Sequence, residues 1–292
     1  MKGLVGDLLR VGVQRARRLL EAVDPPGGNY SNPAFAYSKL NDAVVRMVAE
    51  APHVLRPSYT WGLLHSAHLA RALGVSVISA LEFGVAGGNG LLALELAAEK
   101  TRQYLGVRVD VHGFDTGEGL PRPADWRDHP NTYSESDYRM DEGALRSRLK
   151  DAQLHLGLVR DTVGGFLASR PSPIGFISFD LDYYGATVDA FEVLLTDMSL
   201  LLPRVHCYFD DTMGFTCSEW GGERLAIREF NESQPRRKIS PIFGLKYFLP
   251  PVYAAQQWSE MMYLAHIFDH PLYGRPDGLI LAPELPLTNT NA

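Results

Sequence analysis

The stretch Leu81-Glu-Phe-Gly-Val-Ala-Gly-Gly-Asn-Gly90 sets four glycines and a carboxylate between an apolar run and a helix-forming run. Before it, Val75-Ser-Val-Ile-Ser-Ala-Leu81 is short and β-branched, as a buried strand is. After it, Leu91-Leu-Ala-Leu-Glu-Leu-Ala-Ala-Glu-Lys100 is made of strong helix formers. The predicted unit is strand, glycine turn, helix. Gly84, Gly87, Gly88 and Gly90, with Val85 and Ala86 between them, let the backbone come close to a ligand, and the helix N-terminus behind them offers free N–H groups. The turn predicts a nucleotide-like cofactor without saying which. Glu82 is harder to place, because a carboxylate at a strand end is costly unless it meets a cation or hydrogen-bond donors.

Downstream, apolar strand candidates recur at Val107–Phe114, Gln153–Leu156, Ile174–Phe179 and Val205–Phe209. Helical patterns separate them near Asp141–Lys150, Thr162–Ala168, Thr187–Leu201 and Glu219–Glu232. This alternation implies right-handed βαβ units and a mostly parallel sheet covered on both faces. Two C-terminal apolar runs, Tyr247-Phe-Leu249 and Met261–Phe268, are expected to add edge strands. Upstream, helical patterns near Tyr37–Ala51 and Ser58–Leu73 form an N-terminal helical cap, so the chain divides into residues 1–74 and 75–292.

Ligands in such sheets sit beyond the carboxyl ends of the strands, and the residues there are mostly acidic. Asp115, followed by Thr116, closes the second strand, where a carboxylate can accept from ribose hydroxyls; a turn or helix-capping aspartate is the plainer reading. Asp180 closes the fourth strand and Asp210-Asp211 the fifth, about 30 residues on, the length of one βαβ crossover. They should therefore stand side by side, and three converging carboxylates call for a hard divalent cation such as Mg²⁺, which keeps waters and substrate oxygens in its shell; Asp210 as a helix cap with Asp211 solvated is the alternative. Asp182 lies within the same Asp-Leu-Asp run. The irregular stretch Gly119–Met140 has the length of a lid, with Trp126, His129, Tyr133 and Tyr138 able to close over a cofactor or face a sugar-like acceptor; a mobile surface loop is the alternative. His266 and His270 flank Asp269, either to help deprotonate a substrate or as turn residues.

The net charge of −6 provides no general attraction for nucleic acid. Two cysteines, Cys207 and Cys217, are too few for a disulfide framework, which points to a reducing cytoplasm. No apolar run is long enough to span a bilayer, so no integral membrane association is expected. Residues 4–20 have an amphipathic pattern with a basic stripe, read as a helix docked on its own domain or on a second subunit, which leaves room for a homo-oligomer through the N-terminal helices; a helix lying on a membrane surface is the alternative.

Gly84, Gly87 and Gly90 also fit the glycine spacing of nicotinamide-dependent, sugar-modifying oxidoreductases. Those enzymes need a tyrosine followed four residues later by a lysine, and none of the 13 tyrosines meets that condition. Nor does a nicotinamide explain Glu82 or the aspartates, whereas the ammonium and sulfonium groups of S-adenosylmethionine welcome carboxylates. Glu82–Gly90, Phe114-Asp-Thr-Gly-Glu-Gly-Leu-Pro121, Asp161-Thr162, Phe179-Asp-Leu-Asp-Tyr-Tyr-Gly-Ala-Thr187 and Phe209-Asp-Asp211 together resemble the class I S-adenosylmethionine-dependent methyltransferases. Within that class the chain is similar to the macrocin O-methyltransferase-like group, which methylates sugar hydroxyls of macrolides and related glycosides.

The resemblance implies a Rossmann-like, seven-stranded, mostly parallel α/β sheet. It implies cofactor contacts from Glu82, the Gly84–Gly90 turn, Asp115, Thr116 and Asp180, with Gly157 and Leu158 flanking the adenine. It also implies Mg²⁺ at Asp180, Asp210 and Asp211. The expected activity is metal-dependent methyl transfer to a hydroxyl of a sugar or glycosylated small molecule, with Asp182 as base. A non-catalytic protein that binds the same cofactor is the alternative. The chain departs from the group's pattern at Gly117 and at Tyr183-Tyr184, both near the pocket.

Overall fold

Strand β1 (Val77–Phe83) is the centre from which the fold is built. It is buried along almost its whole length and pairs in parallel with β2 (Arg108–Asp115) on one side and β4 (Ile174–Phe179) on the other. Strand β3 (Gln153–Leu156) extends the sheet beyond β2, and β5 (Leu201–Phe209) extends it beyond β4. The last two strands, β6 (Arg237–Pro241) and β7 (Met262–Ile267), run antiparallel to each other, with β7 antiparallel to β5. The order is β3-β2-β1-β4-β5-β7-β6, a mostly parallel α/β sheet as the strand–helix alternation implied, with the seven strands that the resemblance implied. Because the chain winds outward from β1 to β3 and then returns to β4, the order reverses between β1 and β4. Ligands of open α/β sheets lodge at such a crevice.

The structure, a computed structural model, describes residues 33–214 and 217–276. The amphipathic segment at residues 4–20 lies outside them. Helices α1 (Pro33–Glu50), α2 (Pro57–Ala72) and α3 (Asn89–Leu105) cover one face of the sheet. Tyr59, Trp61 and Leu64 of α2 share a core with Ile78 and Ala80 of β1 and Leu91 of α3, so α2 is a layer of the sheet's own packing. After α4 (Glu142–Arg148) come α5 (Val159–Ala168), α6 (Tyr184–Ala190), α7 (Glu192–Leu195) and α8 (Gly222–Ser233), which supply the core of the opposite face.

Two expectations give way. The helix anticipated over Thr187–Leu201 is split into α6, α7 and a short turn, with β5 already begun at Leu201. Asp197 takes the Ser199 amide at 2.8 Å, the local side-chain bond that competes with helix continuation. The apolar run Tyr247-Phe-Leu249 forms no strand: Leu245–Phe248 is a 3₁₀ turn with Tyr247 80% exposed. The edge strand is instead β6, Arg237-Lys-Ile-Ser-Pro241, whose single fully buried residue is Ile239. An edge strand with one solvated face needs little apolar content, and its charged residues discourage pairing with other chains. Among the described residues no helix is long and apolar enough to cross a membrane.

Candidate functional site

Four phenylalanines lie in register just before the edge where the site forms. Phe83, Phe179 and Phe209 end β1, β4 and β5, and Phe114, one residue before the end of β2, stands in lateral register with them. Their rings stack in sequence, with centroids 4.8, 5.7 and 4.5 Å apart. Alternation along a strand then places the next residue of each chain at the carboxyl edge: Asp115, Gly84, Asp180 and Asp210. The ladder continues into these residues, since the Gly84 amide donates to the Phe114 carbonyl and the Asp180 amide to the Phe83 carbonyl, both at 2.9 Å. Every residue assigned above to cofactor or metal lines one cavity of about 700 Å³ at this edge, as does Asp182. That volume is within the usual range for small-molecule sites.

At Gly84 and Gly90 only glycine fits. Gly84 has φ +84°, and a Cβ there would lie 1.7 Å from the Asp180 carbonyl oxygen. A Cβ on Gly90, in the first turn of α3, would lie 1.8 Å from Glu82 Oε1. The turn between them is held by Asp115. Its Oδ2 accepts from the Val85 and Ala86 amides at 2.9 and 2.8 Å, and its Oδ1 accepts from the Gly117 amide at 2.6 Å. Asp115 thus fixes the turn that it was expected to accompany, while still facing the cavity. Thr116 donates to the Gly119 carbonyl at 2.7 Å, and the Gly157 amide donates to the Asp115 carbonyl.

Glu82 is 1% exposed. Its Oε1 accepts from the Tyr59 hydroxyl at 2.8 Å, and its Oε2 has no partner. Burial pushes its carboxyl up to about 8, against the opposing pull of the Tyr59 hydrogen bond and the Arg56 charge. Tyr59 in turn accepts from Ser178 at 2.7 Å and from Arg56 Nη1 at 3.1 Å. None of Arg56, Tyr59 or Ser178 stands out in the sequence. Arg56 and Tyr59 come from the start of α2, and only the packing of α2 on β1 and β4 brings them to Glu82.

At the ends of β4 and β5 the carboxylates crowd. Burial and the neighbouring Asp210, Asp211 and Glu82 hold Asp180 well above the ordinary carboxylate range. Burial and then Asp182 and Asp210 push Asp211 up to about 7. Asp182 is raised to about 6, again by burial first, with a hydrogen bond from Tyr133 opposing the shift. Its φ of +61° is a left-handed conformation that aspartate tolerates better than most residues. Glu223, in the first turn of α8, is fully buried and raised for the same reason; its Oε2 accepts from the Asp211 amide at 2.9 Å, and its Oε1 has no partner. In the sequence Glu223 reads only as an acid suited to a helix N-terminus.

These carboxylates turn to local donors. Asp210 Oδ1 accepts from the Tyr208 hydroxyl at 2.7 Å. Asp211 takes Tyr133 on Oδ1 at 3.2 Å and the Asp182 amide on Oδ2 at 3.0 Å. Among the described residues no group of three or more His, Cys, Asp or Glu side chains is arranged to hold a metal ion.

The segment Gly119–Met140 is pinned over this edge. Leu120 and Asp137 close its neck by backbone hydrogen bonds, and Asp128 is buried, accepting from the Ala124 and Gly185 amides at 2.9 and 3.0 Å. Tyr133 reaches Asp211, whereas Trp126 is 66% exposed. His266 and His270 lie elsewhere: His266 meets the Tyr273 hydroxyl, and His270 accepts from the Leu272 amide, the turn role. Neither lines the cavity.

No family model matches the sequence, and no curated protein matches it. Several solved structures are similar. The calicheamicin methyltransferase CalS11 is 22% identical, over 76% of this chain and 95% of that one, with a TM-score of 0.44. The O-methyltransferase NovP is 13% identical over 69% and 91%, TM-score 0.46. An O-methyltransferase from Bacillus cereus, in complex with SAH, is 14% identical over 87% and 97%, TM-score 0.37. At such values the reading of the site rests on its own residues.

Proposed function

We propose that this protein is an S-adenosylmethionine-dependent O-methyltransferase acting on a hydroxyl of a sugar or glycosylated small molecule, aided by Mg²⁺ at Asp180, Asp210 and Asp211. One observation carries the reading: the glycine turn with its buried, half-satisfied Glu82 opens into the same cavity as Asp180, Asp182, Asp210 and Asp211. The first feature suits the amino acid end of the cofactor; the second suits a polyhydroxyl acceptor and a cation.

In this mechanism the Val85–Gly90 backbone and Asp115 hold the adenosyl end, and Glu82 takes the α-ammonium on its unpartnered Oε2. S-adenosylmethionine, when bound, would supply its methyl group to the acceptor oxygen, the electron pair of the S–CH₃ bond staying with sulfur. Asp182, at about 6, is ionised at neutral pH and takes the hydroxyl proton. The all-oxygen donor set and its mutual repulsion fit a hard divalent cation, which would lower the pKa of the acceptor hydroxyl.

Transfer of labelled methyl from S-adenosylmethionine to a panel of glycosides, with and without chelator, tests the reading. Transfer that chelator and Asp210→Ala both suppress supports it. Full activity under either condition removes the metal. Binding of the cofactor without turnover on any acceptor favours a non-catalytic binder.

A further inference from the structure

Arg56 is the half-buried cation of a cavity otherwise floored by carboxylates; the other arginines lining it, Arg122 and Arg160, are exposed. Its guanidinium lies over the Tyr59 ring, 5.0 Å from the centroid, and donates through Nη1 to the Tyr59 hydroxyl. That hydroxyl donates to Glu82 and accepts from Ser178, so its hydrogen-bonding capacity is filled. Tyr59 is therefore a fixed spacer between the guanidinium of Arg56 and the carboxyl group of Glu82. Both lie against the first turn of α3, where a Cβ on Gly90 would be 1.8 Å from Glu82 Oε1 and 3.1 Å from Arg56 Nη1. Glu82 Oε2 is buried and unpartnered. Arg56 has no second hydrogen-bond acceptor among the described residues. The two unmet demands, a donor-bearing cation for Glu82 and an anion for Arg56, sit side by side, as the charges of an α-amino acid do.

We propose that Arg56 binds the α-carboxylate of the cofactor's methionyl end while Glu82 binds its α-ammonium, with Tyr59 setting their spacing. A carboxylate entering beside the acidic groups of Glu82, Asp180 and Asp210 finds its counter-charge in Arg56, whose planar guanidinium suits bidentate capture of it. Arg56 is then the residue through which the site demands an intact amino acid end rather than any adenosyl thioether. The inference rests on the S-adenosylmethionine reading above.

The test is calorimetric titration of the full chain with S-adenosylhomocysteine and with its decarboxylated analogue, which keeps the amine. Wild type should prefer S-adenosylhomocysteine. Arg56→Met should weaken it by about tenfold to a hundredfold, the range of a charge-assisted hydrogen bond, and leave the decarboxylated analogue unchanged, which also reports an intact fold. Arg56→Lys, keeping charge without the planar fork, should fall between, and it carries the same comparison should Arg56→Met not fold. Equal weakening of both ligands, or none, overturns the assignment of Arg56 while leaving the cofactor reading in place. A wild-type protein that binds neither ligand overturns the cofactor reading itself.

Discussion

The β1–β2 side of the cavity and the β4–β5 side share one construction, a phenylalanine followed by an edge residue, yet they treat charge in opposite ways. On the β1–β2 side the Asp115 carboxylate is met by three backbone amides, and the glycine turn is fixed by it. On the β4–β5 side Asp180, Asp182, Asp211 and Glu223 all have raised pKa values, and Glu223 keeps an unpartnered oxygen. Glu82 stands between, with one oxygen satisfied and one not. The first side is a finished cradle set by backbone shape. The second gathers carboxyl groups whose pKa values burial and like charge raise, a pattern that concentrates at functional sites.

The comparison breaks most easily at Gly84. Gly84→Ala would drive a methyl group into the Asp180 carbonyl at φ +84°, forcing β1 and β4 apart. We expect a loss of about 3 kcal/mol or more in denaturant unfolding, with cofactor binding abolished. A variant of wild-type stability would show that the two strand ends are not held together there. Asp115→Ala comes next. It strands three amides at a cost of about 1–3 kcal/mol and should lower cofactor affinity at least tenfold, while the pH dependence of the β4–β5 carboxylates is unchanged.

Glu82→Gln sharpens the contrast through pH. The folded pKa of about 8 lies above the ordinary value of 4.5. The favourable contribution of the protonated form is therefore complete below 4.5 and is lost as pH rises towards 8. At about pH 8 the glutamine variant should melt above wild type, by about 2–4 °C for each kcal/mol recovered, and still bind cofactor more weakly. A lower melting temperature at that pH would mean that Glu82 is ionised without cost. The smallest effect belongs to Tyr133→Phe, which removes one hydroxyl donor that Asp211, at 3.2 Å, shares with Asp182. We expect kcat/KM for an identified glycoside acceptor to fall by less than about tenfold, the value of one such bond. A larger loss would make Tyr133 part of the chemistry.

The sheet is legible in the sequence because its strands are apolar and its glycine turn unmistakable; β3 and β4 fall at the expected residues. The repeated Phe-Asp at 114–115, 179–180 and 209–210, with Phe-Gly at 83–84, also marks which residues share the edge. It is the residue spacing, turned into lateral register by parallel pairing, that gathers the expected site residues in one cavity. Arg56, Tyr59 and Glu223 carry no such signal, since helix packing alone brings them in. Strand β6 is missed for a related reason: exposure of an edge erases the apolar pattern.

The most direct test of one cofactor meeting the unmet half of Glu82 is calorimetric titration with S-adenosylmethionine at about pH 7, repeated in buffers of different ionisation enthalpy. The expected result is single-site binding with net release of a proton, as the cofactor ammonium draws Glu82 into its ionised form. No binding, or binding with no proton exchanged, would contradict it.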